Sequence, residues 1–492
     1  MLIRLLLLAL AIVIVPTLNV RAQELESAPS TAASSSVDLD TPPSPAAPSV
    51  LQVEEAHDDL LQEVIKRLES TENRVFELEH ELEEKDKKAA QKKIEDAAKP
   101  KKWYDKYTIR GYVQVRNNAT AYLADGSFPA QEVGDSGVGE DQTFTLRRAR
   151  IVLQGDVTDH MSIYFQPDFA VTPPGSSDNT FFGQIRDFYT DLYLDDDREF
   201  RFRVGQSKVP YGWENLQSSS NRLPLDRADA TNSAFRNERD LGVLFYYTPT
   251  YVQEIFKYID EHNLKGSGNY GMLGAGFVNG QGGSLLETNG NYHFVARATL
   301  PFWLNDCQLV ELSMQGYIGK YTVGSAAISP LGVGPAVQPL GTGSTNAPDG
   351  LHDERLAWTF VYYPQPLGFQ AEWNIGQGPT LNAAQTAVEV APLSGGYAQL
   401  FYRIQTDRWG EFWPFARYSF YDGGYKTQRN APDVYISEWE LGNEWQINKY
   451  LELVTMITLT DRTNTNARST ANTLSYGQFE GVLIRSQVQF SY

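Results

Sequence analysis

Apolar and polar residues alternate along the last stretch of the chain, Val482 to Tyr492. Every second residue falls on one face that is almost wholly apolar, whereas Arg485 and two glutamines share the other face. Because successive side chains of a strand point to opposite sides, this pattern predicts a β-strand with one apolar and one polar face. In a soluble sandwich the apolar face would point toward a core. In a transmembrane barrel it would face lipid, and the polar face would line water.

Similar period-two runs fill the chain from Tyr107 onward, and about sixteen can be recognised by their alternation. The run at 200–204 alternates Phe and Val with Arg, and the run at 369–375 alternates apolar residues with Gln, Glu and Asn. The predicted strands span approximately 107–120, 142–156, 160–171, 184–195, 199–208, 240–248, 268–279, 290–300, 308–323, 351–364, 367–376, 396–406, 411–422, 434–447, 450–461 and 480–492.

The connections between these runs alternate in length. Every second connection is short, with the sequences VTDH, DDDRE, PFWLND, PQPLG, TDRWG and NKY. The long connections are rich in Gly, Ser, Thr, Asn and Pro and span 121–141, 172–183, 209–239, 280–289, 324–350, 377–395, 423–433 and 462–479. Short periplasmic turns and long outer loops are typical of an outer-membrane barrel. An even strand number places both ends of the barrel on the periplasmic side. The link 249–267 is the exception, since a short turn is expected there.

The N-terminal hundred residues lack this alternation. Residues 1–22 combine Arg4, a long apolar run and the small residues around Ala22, which predicts a secretory signal peptide. Residues 23–50 are rich in Ser, Ala and Pro, which predicts a flexible linker.

Residues 51–100 instead show a seven-residue repeat. The repeating apolar positions, broken once at Thr71, are Leu61, Val64, Leu68, Val75, Leu78 and Leu82. This spacing predicts a periplasmic coiled coil, whose narrow apolar stripe requires partner helices. A single solvated helix remains the alternative, and the repeat does not distinguish a dimer from a trimer.

Composition narrows the class of protein further. Aromatic residues make up 12% of the chain, led by 27 Tyr and 24 Phe, which fits aromatic girdles at two membrane interfaces but also a large soluble β-protein. The net charge of −19 argues against a nucleic-acid partner. Cys307 is the single cysteine, so an intrachain disulfide and a cysteine-based metal site are excluded. No cofactor or metal is predicted, because no phosphate loop or ligand spacing occurs.

Two segments carry a family resemblance. TLRRARIVLQGDVTDHMSIYFQPDFA and FRFRVGQSKVPYGWENLQSSSNRLPLDRADATNSAFRNERDLGVLF resemble the phosphate-selective porin O and P family. The matching features are the paired arginines before a short turn, the QPDF strand, the K-x-P-x-G strand end and the long loop ending in RDLGV. The order of strands and loops resembles the family over about 107–492, whereas the specific sequence motifs lie mainly within 142–247.

That resemblance implies a sixteen-stranded, trimeric outer-membrane channel whose third outer loop folds into the pore and whose inner wall guides anions with basic side chains. The final strand, ending at Tyr492, also resembles the closing strand that the barrel assembly machinery reads in bacterial outer-membrane proteins. Outer-membrane lipid, two further copies of the chain, the assembly machinery and small anions are therefore the expected partners.

Nine basic residues are the candidates for lining the pore and guiding anions. They lie on the polar faces of the second and fifth predicted strands, at the end of the fifth strand and in the loop that follows it: Arg148, Arg150, Arg201, Arg203, Lys208, Arg222, Arg227, Arg236 and Arg239. A low-dielectric wall focuses such charge, and paired guanidinium donors suit phosphate and carboxylate groups.

Acidic residues compete with that interpretation. They occur in the same loop and on neighbouring predicted strands: Asp168, Asp187, Asp191, Glu214, Asp226, Asp229, Glu238 and Asp240. Each arginine could therefore be an ion-pair partner that stiffens the wall instead of a contact for anions.

Enzymatic activity is not predicted. The spacing of His160 and Ser162 occurs in some barrel lipases, but here both residues fall at a periplasmic turn without a converging third group. The sequence predicts an all-β protein, a transmembrane antiparallel barrel of about 16 strands (residues 101–492) preceded by a coiled coil. The expected function is passive diffusion of small hydrophilic solutes, with a preference for anions such as phosphate. The alternatives are a pore for sugars or cations, and a structural protein that tethers the outer membrane to the cell wall.

Overall fold

The computed structural model divides the chain into two compact units, residues 1–100 and 101–492. It describes residues 102–492 except 128–131, 136, 140–141, 172–181, 284, 306 and 469–475, together with nine residues between Gln62 and Lys88. Those nine residues are helical and exposed. The predicted signal peptide, the linker and all the apolar positions of the predicted coiled coil lie outside the described residues.

The larger unit is an antiparallel barrel. Its strand segments are β1 (Tyr107–Leu123), β2 (Thr143–Thr158), β3 (Met161–Val171), β4 (Phe182–Tyr193), β5 (Phe200–Lys208), β6 (Arg239–Tyr247), β7 (Leu273–Val278), β8 (His293–Asn305), β9 (Gln308–Tyr321), β10 (Leu351–Tyr362), β11 (Leu367–Leu381), β12 (Val388–Tyr402), β13 (Ile404–Thr406), β14 (Gly410–Gly424), β15 (Asp433–Asn448), β16 (Leu451–Arg468) and β17 (Tyr476–Ser491).

Each strand pairs with its neighbours in sequence order, and β1 also pairs with β17, which closes the barrel. The segments β12 and β13 both pair with β14 and are separated by Arg403 alone, so they form one interrupted strand. The described residues thus make a closed barrel of sixteen strands, and the predicted fold is confirmed for this unit.

The alternation that predicted the strands separates the two faces of the wall. On β17, Ile484 and Phe490 are about half exposed on the outside, whereas Arg485 is 1% exposed on the inside. Tyr492 closes this edge, since its backbone N–H donates to the carbonyl of Gly111 on β1 at 3.0 Å. An apolar exterior and a polar interior are the arrangement that a barrel in lipid requires.

Four short or medium helices connect the strands: α1 (Trp213–Leu216), α2 (Asp229–Asn232), α3 (Thr250–Glu261) and α4 (Gly343–Asn346). None of the helices in the described residues is long and apolar enough to cross a membrane.

Helix α3 explains the exceptional link between β6 and β7. Its apolar residues Val252, Phe256 and Ile259 pack against Leu309 and Val361 on the inner wall. The chain then continues inside the barrel before β7 begins, so β7 starts at Leu273 and not at the predicted 268. We call residues 248–272 the inserted segment.

Two other connections differ from the prediction. The predicted long link 377–395 is reduced to 382–387, because β11 continues to Leu381 and β12 begins at Val388. The sequence predicts a short turn at PFWLND, but β8 continues through Asn305. Its residues Pro301 to Trp303 pair with Glu311 to Leu309 of β9. Proline is tolerated in this strand where its missing N–H is not needed by the neighbour.

Candidate functional site

The loop between β5 and β6 folds into the barrel interior. We call residues 209–238 the inner loop. Its middle part is almost completely buried, with Ala230, Thr231 and Ser233 at 0% exposure. Loops normally run over the surface, because buried backbone groups need hydrogen-bond partners. This loop finds such partners on the inner wall: Arg355 and Asn374 both donate to the carbonyl oxygen of Ala230, at 3.1 and 3.0 Å.

Acidic residues attach the inner loop to arginines of the wall. Asp226 pairs with Arg116 at 2.9 Å and also with Arg485. Glu214 pairs with Arg417 of β14. Asp229 pairs with Arg462 at 2.9 Å in the same way. These three acids of the inner loop are therefore anchors that attach it to the wall.

Apolar contacts hold the inner loop as well. Trp213 at the start of α1 packs in the cluster formed by helix α3, and its backbone N–H donates to the carboxylate of Glu372 on β11. Further along, Leu223 and Leu225 pack against Trp413. The inner loop is thus a fixed part of the barrel interior.

The loop after β1 joins the same network. Asp135 pairs with Arg116 at 2.7 Å and with Arg485 at 2.9 Å. Glu132 contacts Arg462 at 2.6 Å, and Glu438 contacts it at 2.8 Å. With Asp229, these two carboxylates surround one guanidinium group, so Arg462 supplies the positive charge between them.

Burial and these ion pairs shift the pKa values of the loop carboxyl groups in different directions. Burial raises the pKa of Glu132 well above its ordinary value, although Arg462 opposes the change. Burial would also raise the pKa of Glu238, but Arg227, Arg239 and Lys208 together hold that pKa well below its ordinary value. Glu238 is therefore ionised at neutral pH.

A cavity of about 470 Å³ lies between the inner loop, the inserted segment and the wall formed by β1 to β6. Six basic side chains line it, and only two acidic ones do. The basic residues are Arg110, Arg150, Arg203, Lys208, Arg239 and Lys265, and the acidic residues are Asp187 and Asp260.

Most of these basic groups are paired; Arg239 pairs with Asp187, which also lines the cavity, but two other pairs share an orientation. Arg150 binds Asp168 at 2.8 Å, and Arg203 binds Asp191 through two hydrogen bonds of 2.8 Å. Both arginines line the cavity, whereas Asp168 and Asp191 do not. The positive end of each pair therefore faces the cavity, which is favourable for an anion there.

Lys208 differs from these arginines. Its Nζ donates to the backbone carbonyls of Leu216 and Gln217, at 2.9 and 2.8 Å, and it forms no ion pair with any carboxylate in the described ranges. Arg239 and Arg150 lie close enough to repel it electrostatically, whereas Glu238 and Asp187 lie close enough to attract it. No carboxylate of the described residues contacts Nζ directly, so an anion that binds at this position would be stabilised by the ammonium charge.

Of the nine predicted residues, the structure brings four together around the cavity: Arg150, Arg203, Lys208 and Arg239. The other five lie elsewhere, and each has a different environment. Arg201 holds the inserted segment, since it donates to the carbonyl of Asn269 at 2.6 Å. Arg148 lies inside the wall and donates to Gln114 at 2.7 Å.

The remaining three belong to the inner loop. Arg227 forms an ion pair with Glu238, and Arg222 donates to the carbonyl of Pro224 at 3.3 Å. Burial lowers the pKa of Arg222 to about 10. Arg236 is partly buried and lies against Gly282 in the loop after β7.

Sequence reasoning missed two basic residues of the cavity. Arg110 has the same strand parity as the inward residues Tyr112 and Gln114, so alternation alone could have identified it. Lys265 could not have been found in this way, because it lies in the inserted segment, and pairs there with Glu444.

Four tyrosines and four serines of the lining were also missed. Tyr164 and Tyr189 stack with ring centroids 5.1 Å apart, and the guanidinium of Arg203 lies 3.8 Å from the ring centroid of Tyr189. Ser219 at the tip of the inner loop hydrogen-bonds to Tyr112 at 2.7 Å. The cavity is therefore lined by hydroxyl groups and aromatic rings as well as by charge.

Comparison with known proteins gives one family match. Residues 125–490 match the family described as Phosphate-selective porin O and P. No curated protein matches the chain. The matched range covers most of the chain and includes β2 to β16 completely.

Several solved structures are similar in fold. OmpT of Vibrio cholerae in its trimer form is 9% identical, with 78% of this chain and 99% of that chain covered and a TM-score of 0.46. The outer membrane channel DcaP of Acinetobacter baumannii is 11% identical, with 78% and 97% covered and a TM-score of 0.46. An anion-selective porin from Comamonas acidovorans is 13% identical, with 78% and 99% covered and a TM-score of 0.41.

Proposed function

Because the chain belongs to the phosphate-selective porin O and P family, we propose that its barrel is an anion-preferring channel of the outer membrane. As an outer-membrane porin, it lets small hydrophilic solutes diffuse passively down their gradients. The inner loop and the inserted segment narrow the path, and the cavity beside Lys208 is the part of that path where anions are favoured over cations.

The observation that carries this proposal is the charge of the cavity lining. Six basic groups and two acidic groups line it, and Lys208 has no ion-pair partner among the described carboxylates. An overall net charge of −19 does not oppose this, because many acids pair with arginines of the wall away from the cavity. Local charge, not total charge, decides which ions concentrate in a narrow low-dielectric passage.

Salt-replacement conductance tests the proposal. The purified protein is inserted into planar bilayers, and the single-channel conductance in potassium chloride is compared with that in lithium chloride and in potassium salts of a bulky anion. An anion-preferring channel loses most of its conductance when chloride is replaced and little when potassium is replaced. The opposite pattern would identify a cation channel and refute the proposal.

We further propose that the protein is a homotrimer. A row of polar side chains crosses the outward face of four adjacent strands, in the register Asn443, Thr455, Ser486 and Asn117. Polar groups on a face that otherwise meets lipid are costly unless another surface covers them. Gel filtration in detergent with mass determination gives the copy number, and a monomer would contradict the proposal.

The predicted coiled coil supports the same assembly, since its apolar stripe requires partner helices. Removing residues 23–100 separates two possible roles. Loss of the oligomer would indicate that this segment holds the copies together. An intact conducting oligomer with weakened attachment to the cell wall would favour a tether.

A further inference from the structure

We infer that the cavity is a binding site for an organic anion with a polyol body, of the class of a hexose phosphate, and not only a passage for inorganic ions. The inference rests on the proposed function, since it requires that anions enter the cavity. It adds a substrate class, argued from the size of the cavity, the separation of its charged and hydroxyl-bearing surfaces and the rigidity of its frame.

Size is the first argument. A volume of about 470 Å³ holds on the order of fifteen water molecules at about 30 Å³ each. An inorganic phosphate would fill a small part of it and would keep most of its water. A phosphorylated sugar fills much more of the space and exchanges its water for protein groups, which gives tighter binding when those groups match.

The charged groups form one part of the lining. Arg150, Lys208 and Arg239 lie close enough to influence each other electrostatically. Arg150 uses Nε for Asp168 and Nη1 for Tyr112 and Ser219, and its Nη2 makes no hydrogen bond to a described residue. Lys208 likewise has one N–H left after its two carbonyl contacts. These donors suit a phosphate group, which accepts several hydrogen bonds.

Neutral hydrogen-bonding groups form the other part. The tip of the inner loop contributes the consecutive serines Ser218, Ser219 and Ser220, and the inserted segment contributes Asn263 and Asn269. Few lining residues are aliphatic, so the surface suits a ligand with hydroxyl groups better than one with an aliphatic body. Tyr164, which stacks on Tyr189 with one face of its ring, also lines the cavity, and sugar C–H groups can pack on an aromatic ring.

The frame of the site is held rigidly by contacts between the inner loop and the inserted segment. Gln217 donates to the carbonyl of Lys265 at 2.6 Å, and Asn221 donates to the carbonyl of Gly266 at 3.1 Å. Lys265 is itself fixed by Glu444 of β15. Two segments that enter the barrel from opposite ends therefore support one another around the cavity. Such a preformed site loses little entropy when it binds a ligand.

The experiment measures block of single-channel chloride current by glucose 6-phosphate, inorganic phosphate and glucose, each titrated at the same ionic strength. Glucose 6-phosphate should reach half-block at a concentration about tenfold lower than phosphate, as expected from a few additional hydrogen bonds to the hydroxyl groups. Glucose without the phosphate should block weakly, because it lacks the charge that the basic groups attract.

Variants assign the block to the site. In Ser218→Ala/Ser220→Ala, two hydroxyl groups that bond to each other at 2.8 Å are removed together, so neither is left unpaired. This variant should weaken block by glucose 6-phosphate about fivefold and leave block by phosphate unchanged. Lys208→Gln should weaken both. The matched control Ser127→Ala, in the loop after β1, should weaken neither.

The outcomes separate this inference from the proposed function. Equal block by phosphate and glucose 6-phosphate in a channel that prefers chloride would overturn the organic-anion site and leave the anion channel intact. Equal block by glucose and glucose 6-phosphate would also overturn it. A channel that prefers cations and is blocked by none of the three would refute both. A fivefold weakening in the control variant would show that the serine effect is not local, and would count against the site.

Discussion

Replacing Lys208 with glutamine should remove much of the anion preference of the channel. The amide of glutamine can still donate to one of the carbonyls that now bind Nζ, so the change removes mainly the charge. An anion about 4 Å from the ammonium group gains about 1 kcal/mol in bulk water and about 4 kcal/mol at an effective dielectric constant near 20. The lower value, about 1 kcal/mol, already corresponds to about a fivefold change in anion concentration at this position.

The assay is the chloride-to-potassium permeability ratio, measured from reversal potentials in a salt gradient. The ratio should fall at least about fivefold in Lys208→Gln, since the charge attracts anions and also repels cations. Lys208→Arg keeps the charge and should keep most of the preference. Lys449→Gln removes a lysine from the exposed turn between β15 and β16 and should change the ratio little. If Lys208→Gln has the ratio of the wild type, the charge of this residue does not govern selectivity, and the reasoning is wrong.

Three further changes test the attachment of the inner loop and the orientation of the wall. Asp226→Ala leaves Arg116 and Arg485 with one carboxylate fewer and should lower the free energy of unfolding, measured in urea, by about 3–5 kcal/mol. The control Asp125→Ala changes an exposed position and should leave the free energy of unfolding nearly unchanged. Equal losses of stability in the two variants would contradict the anchoring role of Asp226. Ile484→Arg places a charge on the outward face and should cost about 2–4 kcal/mol in folding into lipid vesicles, whereas Leu286→Arg in an exposed loop should cost little. The lowered pKa of Glu238 contributes stability that is present above the ordinary glutamate pKa and is lost as the pH falls below about 4. Glu238→Gln should therefore lose less stability than the wild type in urea titrations over that range, and an identical pH dependence would show that Glu238 does not contribute.

The wall of the barrel was predictable because its physics is local. A strand of the wall requires only that apolar and polar side chains alternate along the sequence. This alternation gave the number of strands and showed that long and short connections follow one another in turn. The faces of Arg148 and Arg150 followed from the same rule, and both side chains do point inward.

The interior was not predictable in the same way. The sequence showed that the link between β6 and β7 is too long for a turn, but nothing local indicated that it enters the barrel and brings Lys265 to Glu444. Arg201 and Arg203 share one face of β5 and look equivalent in the sequence. The structure separates them, because Asn269 of the inserted segment binds Arg201 and leaves Arg203 beside the cavity.

The role of the acidic residues of the inner loop could not be predicted from the sequence either. Glu214 and Asp226 appeared to oppose anion binding when they were counted along the chain. Their partners Arg417 and Arg485 are about 200 or more residues away in sequence, so only the closed barrel reveals that these acids are neutralised as anchors.

The most direct test of the central claim is the reversal potential of the wild-type oligomer in a planar bilayer with a gradient of potassium chloride. The structure predicts a potential whose sign shows that chloride permeates more readily than potassium, with a shift toward zero at high ionic strength as the charge of the cavity is screened. A potential of the opposite sign would show that potassium permeates more readily. That result would contradict an anion-preferring channel, whatever the family resemblance implies.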